Sequence, residues 1–293
     1  MSQFDGFLSF IRRDVPLAMH TYLQLGGPAE VFAEPQTEEE LIGLLKVCHA
    51  ENVPVKVLGE GSNLLVSDDG VYGVVVSLSA IPFTGVTIND CSVTAGAGAK
   101  LSRVITQAVT AGLAGIESLI GIPGTLGGAL HGNSGTNNGD IGQRVESVRV
   151  ANMDGTVTEL HRADLSFRYR SSNLDDWVVL SATLSLEKED PAGLAKRMQK
   201  YWIVRKTQQP TSAQASGFAF KNLQAGVDAG SLIEQVGLKG TRIGGARIYE
   251  RNANFIIIEP EGTVGDVQRL IQLVREQVVD RTEVELEIAL DVW

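Results

Sequence analysis

Residues 121–142, "GIPGTLGGALHGNSGTNNGDIG", hold eight glycines, one proline and three asparagines in twenty-two positions. A backbone so poor in Cβ atoms cannot continue a helix or a strand for long, because glycine loses the most conformational freedom on folding. It has to be held as a loop by its surroundings, and it leaves peptide N–H groups open to close approach. A second stretch of this kind, "LGEGSNLLV" at 58–66, ends a short predicted strand, "PVKVL". Successive N–H groups in such turns form concavities that suit anions. Neither stretch is a Rossmann G-x-G-x-x-G with its helix and acidic residue, and neither carries the lysine of a P-loop. Tight connection and phosphate cradle are both open readings of either loop taken alone.

The rest of the chain bounds the possibilities. With 293 residues, 43% of them hydrophobic, it can bury a large core and is long enough for about two domains. The longest apolar runs fall short of the ~18 residues needed to cross a bilayer. The first residues lack a basic start followed by an apolar stretch, so no membrane insertion is expected. Cys48 and Cys91 have no metal-type spacing, which predicts reduced thiols, no metal site and a cytoplasmic location. A net charge of −10 argues against nucleic acid as a partner. Between residues 200 and 251, however, eight basic residues face three acidic ones. Surface scatter explains any one of them, and an anionic small ligand would explain the cluster.

Periodicity predicts alternating elements. Thr37 and Glu40 have capping-box spacing ahead of Leu41, Leu44, Leu45 and Cys48. Leu101, Val104, Ile105, Ala108 and Val109 mark a second helix, stopped near Gly112. Residues 145–160 alternate around Asp154-Gly155, a hairpin signal. Val267, Leu270, Ile271, Val274 and Val278 mark a last amphipathic helix. The acidic segment at 186–193 is the best candidate boundary.

Several motifs then combine: "HTYLQLGGPAEVFAEP" (20–35), the two glycine loops, "FRYRSSNL" (167–174), "QQP" (208–210), "FKN" (220–222) and residues 237–257. In order and approximate spacing the chain resembles the UDP-N-acetylenolpyruvoylglucosamine reductase family, also called UDP-N-acetylmuramate dehydrogenase, in its shorter form. The resemblance covers nearly the whole chain. It implies an α+β protein with an FAD-binding region of the vanillyl-alcohol-oxidase (PCMH) type over residues 1–190. A smaller α+β substrate-binding domain is implied over 191–293. It also implies FAD as cofactor, NADPH as reductant and a UDP-sugar substrate, UDP-N-acetylglucosamine-enolpyruvate. On the same ground Gly59, Glu60, Gly61, Ser62, Asn63 and Leu64 are expected at the cofactor, with Gly121, Pro123, Gly124, Thr125, Gly127, Gly128 and Asn133. Tyr169, Lys221 and Asn222 are expected at the substrate, and Arg170 at the reacting end.

Hydride delivery to the enolpyruvyl double bond pushes charge onto the substrate carboxylate and then requires a proton. The family uses an arginine, a serine and a glutamate. Arg170 matches the first; a salt-bridged surface residue is its plainer reading. Phe218 stands at the serine position and Ala289 at the glutamate position. Glu60 replaces a glycine, Gly132 falls in the usual "MN" pair and Asn252 replaces a histidine. A carboxylate at 60 would repel a pyrophosphate unless a cation intervenes. If residues 216–220 are extended, Ser216 shares a face with 218, and Asp291 shares one with 289. Three functions are compatible with these residues: the family reaction with rearranged acids, a flavin enzyme on another substrate, or a non-catalytic flavin or UDP-sugar binding protein. Oligomeric state is not legible.

Overall fold

The computed structural model describes residues 4–210, 214–223 and 227–293. The chain forms two compact units, neither of them sequential. The first comprises Met1–Val15, Ala29–Glu60 and Tyr72–Val204; the second comprises Pro16–Pro28, Gly61–Val71 and Arg205–Trp293. The last division falls inside the helix Pro191–Gln208, downstream of the acidic segment at 186–193.

In the first unit a four-stranded sheet takes the order Ile11–Pro16, Pro28–Ala33, Val71–Ser77, Val55–Leu58, with the last two strands parallel. The helix Glu38–Ala50 joins strands of this sheet, and its capping box is formed as the spacing predicts. The Thr37 hydroxyl accepts the Glu40 N–H, and the Glu40 carboxylate accepts the Thr37 N–H. Leu41, Leu44, Leu45 and Cys48 are buried. Arg149 donates two 2.6 Å bonds to Glu38, a bidentate pair whose hydrogen bonding holds the Glu38 carboxyl below its ordinary range.

A five-stranded antiparallel sheet follows in the order Val157–His161, Val145–Asn152, Trp177–Ser185, Ser92–Gly96, Val86–Asn89. The hairpin at Asp154–Gly155 forms as predicted. Burial does not alternate strictly along Val145–Asn152: Ser147 and Val148 are both buried, and the register against the neighbouring strand shifts between Val145 and Ser147 and between Arg149 and Val150. The helix Leu101–Thr110 buries all five of its predicted apolar residues. Truncating one of the larger ones to alanine costs about 2–5 kcal/mol.

The second unit has its own core around a four-stranded antiparallel sheet, ordered Ala215–Phe218, Phe255–Ile258, Ala246–Ile248, Arg242–Ile243. The helix Val264–Thr282 lays Val267, Leu270, Ile271, Val274 and Val278 into that core. Its capping carboxylate, Asp266, accepts N–H bonds from Gly245 and Thr263, each 3.1 Å, and these hold its carboxyl below the usual range. The C-terminal Asp291–Val292 pairs in parallel with Leu64–Leu65, and Phe220 bridges antiparallel to Ile288. Among the described residues no helix is long and apolar enough to cross a membrane.

Candidate functional site

Within the first unit, the loop at Gly59–Glu60 comes against the turn at 121–128. A Cβ on Gly59 would lie 2.8 Å from the Thr125 hydroxyl oxygen, so only glycine permits this approach. Gly124 has φ +123°, a conformation that a side chain would strain. Its N–H donates to one carboxylate oxygen of Glu60 at 3.0 Å, while the other oxygen meets the Lys100 ammonium at 2.9 Å. Glu60 is thus held between a cation and a peptide donor. The hydrogen bond that Lys100 donates to Glu60, with the carboxylate's charge, raises the Lys100 pKa. Lys100 therefore balances the charge of the Glu60 carboxylate. Lys100 was not among the residues picked from the sequence; its only signal is its place at the end of "GAGAK", just before a helix.

The 121–128 turn does not offer the fan of open amides that its glycines suggest. The Leu126 and Gly127 N–H groups donate to the Ala99 and Ala97 carbonyls, both at 2.8 Å. The Gly128 N–H is taken at 3.3 Å by Thr125, the N-cap of the short helix Leu126–His131. Close packing of this helix start on residues 97–99 accounts for Gly127, where a Cβ would come within 3.1 Å of Ala97. Gly121 and Pro123 complete the turn leading into Gly124.

Asn133 is buried, with 4% exposure, at φ +40°. Its amide nitrogen donates to the Arg168 carbonyl at 2.9 Å, and its oxygen accepts the Gly142 N–H at 3.0 Å. One end of the side chain therefore ties the glycine-rich segment to the hairpin Phe167–Arg168/Ser171–Ser172, and the other clasps that segment to itself. Ser172 adds a 2.8 Å bond to the His131 carbonyl. Tyr169 and Arg170 form the tip of this hairpin, Tyr169 exposed and Arg170 half-buried, with Arg170 at φ +55°.

Within the second unit, Gly61 to Leu64 lead into the short strand Leu64–Leu65, whose Leu64 is buried. Ser62 accepts the Gly217 N–H through its carbonyl, and the Asn63 amide donates to the Ala289 carbonyl at 2.8 Å. The Ala289 N–H donates to the Ala219 carbonyl at 2.9 Å. Positions 218 and 289 therefore stand on adjoining segments, as a cooperating serine and glutamate would require. Phe218 is half-buried and meets Phe255 edge-on.

The two stand-ins considered from sequence are otherwise engaged. Ser216 is 6% exposed; its hydroxyl donates to the Gly217 carbonyl at 2.6 Å and accepts the Ile256 N–H at 2.9 Å. The strand is irregular between Ala215 and Phe218, so the simple alternation linking 216 to 218 does not apply. Asp291 accepts the Trp293 indole N–H at 2.9 Å.

Lys221 is paired with Glu287, and Asn222 accepts the Ala229 N–H at 3.1 Å. Much of the basic surplus is likewise matched locally. Lys239 pairs with Glu234 at 2.5 Å, and Arg242 with Glu259 at 2.8 Å. Arg247 reaches Glu250 at 2.8 Å and Glu259 at 3.3 Å. Counting charge over residues 200–251 missed Glu259 and Glu287, which the fold brings in from outside that window.

Two family models match the chain: an FAD binding domain over residues 29–161, and the UDP-N-acetylenolpyruvoylglucosamine reductase C-terminal domain over residues 209–293. The UDP-N-acetylenolpyruvoylglucosamine reductase of Rhodopirellula baltica is 35% identical over 289 residues, covering 99% of this chain and 94% of that one. The chain belongs to the UDP-N-acetylenolpyruvoylglucosamine reductase family. The crystal structure of the family's Thermus caldophilus enzyme superposes with a TM-score of 0.84 at 36% identity, covering 97% of this chain and all of that one. A pollen allergen variant described as a glucose oxidase, Phl p 4, shares the fold at 13% identity and a TM-score of 0.52, over 73% of this chain and 51% of its own. This reductase-family chain has the vanillyl-alcohol-oxidase type of FAD-binding fold in an α+β architecture, and its cofactor is FAD. The geometry fits that group, since the Glu60 carboxylate occupies, between Lys100 and Gly124, a setting suited to a phosphate oxygen.

Proposed function

We propose that this chain is an FAD-dependent, NADPH-using reductase of UDP-N-acetylglucosamine-enolpyruvate, forming UDP-N-acetylmuramate for peptidoglycan synthesis in the cytoplasm. The observation that carries the reading is the Gly59–Thr125 approach beside the Glu60–Lys100 pair, which sets one peptide N–H and one ammonium around an anionic oxygen in a chain of this family. FAD, when bound, supplies the hydride. Most of the region before about residue 190 serves the cofactor, with Tyr169 and Arg170 as exceptions, and the region after it serves the substrate. The 59–64 and 121–128 loops hold the cofactor's pyrophosphate. Asn133 serves it indirectly, through the backbone. Lys221 and Asn222 meet the UDP-sugar, with Tyr169 beside it. Binding the UDP pyrophosphate exchanges Glu287 for phosphate at Lys221.

Arg170 holds the substrate carboxylate, where its fixed charge stabilises the negative charge that develops as hydride arrives. A proton must then reach the neighbouring carbon. Phe218 cannot donate it, and losing a general acid costs about 10²–10⁴-fold. A second reading is favoured by one observation: Ser216 and Asp291 are both committed to other partners. On that reading the chain binds flavin or a UDP-sugar without completing the family reaction, or reduces a different substrate that Phe218 admits.

The purified protein is expected to be yellow, with about one FAD per chain. Anaerobic NADPH is expected to bleach it, and the substrate to restore the colour slowly. A colourless protein that takes up no FAD overturns the flavin site. Bleaching without recovery overturns the family reaction in favour of the second reading.

A further inference from the structure

We infer that Glu60 is an exchangeable internal anion and that Lys100 is a cofactor-phosphate ligand: the Glu60 carboxylate holds Lys100 and the Gly124 N–H until a phosphate oxygen of FAD replaces it. The proposal rests on FAD being the cofactor. Four observations within the first unit carry it.

First, the amides of the 121–128 turn differ in what satisfies them. Leu126 and Gly127 donate to main-chain carbonyls, and Gly128 to the Thr125 cap. Those bonds are part of the fold. Gly124 donates to a side-chain carboxylate, whose departure breaks no bond between main-chain groups. Second, the carboxylate's other oxygen is held at 2.9 Å by Lys100, whose side chain is 70% exposed. Glu60 is the more sheltered partner, its side chain 22% exposed, but the open ammonium keeps the pair weak enough to exchange its anion. Third, the Lys100 backbone is fixed from both sides: Lys100 bridges Thr125, and the Leu101 N–H donates to the Gly124 carbonyl at 2.9 Å. The ammonium is therefore tethered beside the amide it would share with a phosphate. Fourth, Gly59 comes so close to Thr125 that Glu60, the next residue, is delivered directly to this spot.

A phosphate oxygen presents the same demand as the carboxylate, one charge-assisted contact and one N–H bond. If the two compete, removing the glutamate charge favours the cofactor, and removing the lysine charge opposes it. If instead Glu60 is a permanent strut that shapes the loop, its loss weakens the cofactor.

Apoprotein titrated with FAD, followed by flavin fluorescence, separates these cases. Glu60→Gln keeps an acceptor for Gly124 but loses the charge, and it is expected to bind FAD about tenfold more tightly than the natural chain. Lys100→Gln is expected to bind about tenfold more weakly. Inorganic pyrophosphate is expected to compete with FAD most effectively in Glu60→Gln. Glu60→Ala, checked for an unchanged melting transition, is expected to follow Glu60→Gln. Normal FAD binding by the natural chain with equal or weaker binding in both Glu60 variants overturns the exchange. No FAD binding by any of the proteins overturns the flavin assignment and this proposal with it.

Discussion

The Phe218 ring meets Phe255 edge to face, with ring centroids 5.0 Å apart and planes at 62°. The side chain at the family's serine position is thus a packing residue of the second unit's sheet, on a segment hydrogen-bonded beside Ala289. Because Phe218 is only half-buried, its loss costs less than a full core truncation. Phe218→Ser is expected to lower stability by about 1–3 kcal/mol, including ~0.5–1.5 kcal/mol for the aromatic pair.

Phe218→Ser combined with Ala289→Glu is expected to raise turnover of UDP-N-acetylglucosamine-enolpyruvate above the natural chain, and each single change to do less. Steady-state rates beside melting temperatures test this. A folded, flavin-loaded double variant without any gain would falsify the idea that only these two positions have diverged.

Arg170 carries a left-handed backbone, φ +55°, which costs a non-glycine residue about 1–2 kcal/mol. Arg170→Gly is expected to raise the melting temperature slightly while weakening the binding of anionic substrate, with flavin content unchanged. Arg170→Ala weakens binding without the gain in stability. Loss of flavin in both variants would instead assign Arg170 to the fold.

Asn133→Ala removes a buried amide that satisfies two backbone groups. Leaving the Arg168 carbonyl and the Gly142 N–H unpartnered is expected to cost about 2–4 kcal/mol. Chemical denaturation measures it. A cost below 1 kcal/mol would show that water replaces both contacts.

Glu117 gives the pH dependence a direction. Burial pushes its carboxyl up, but the Gly115 N–H at 2.6 Å, its own backbone and Arg197 together outweigh burial and leave it below the ordinary range. A depressed carboxylate contributes stability above its unfolded pKa of about 4.3, and that contribution is lost as pH falls through the lower folded value. Glu117→Gln is therefore expected to destabilise at neutral pH, by about 1 kcal/mol given the partly solvated guanidinium, and progressively less as pH falls below about 4. An equal deficit at pH 3 and pH 7 would exclude the ion pair as the cause.

Cys48 is buried, and burial raises its thiol pKa to about 11. At pH 8 a thiol reagent is expected to label it only at the rate of unfolding. Fast labelling of the native protein at Cys48 would contradict the packing of the Glu38–Ala50 helix.

What the sequence alone determined is local or repeated in pattern. The Thr37–Glu40 capping box, the inward stripes of the Leu101–Thr110 and Val264–Thr282 helices and the Asp154–Gly155 hairpin follow from interactions only a few residues apart. The family and its flavin were legible because the motifs keep their order along nearly the whole chain, and Phe218 and Ala289 were visible as departures for the same reason. Tertiary structure decided everything that depends on partners distant in sequence. It placed Lys100 against Glu60, spent three amides of the 121–128 turn within the fold, and made Asn133 a backbone clamp. It also brought Glu259 and Glu287 onto basic residues whose count had suggested a free positive surface. Glycine spacing reports which approaches are sterically allowed, and residue counts report how much charge exists. Neither records which group comes to within 3 Å of which, because that follows from how the strands pair and the loops close.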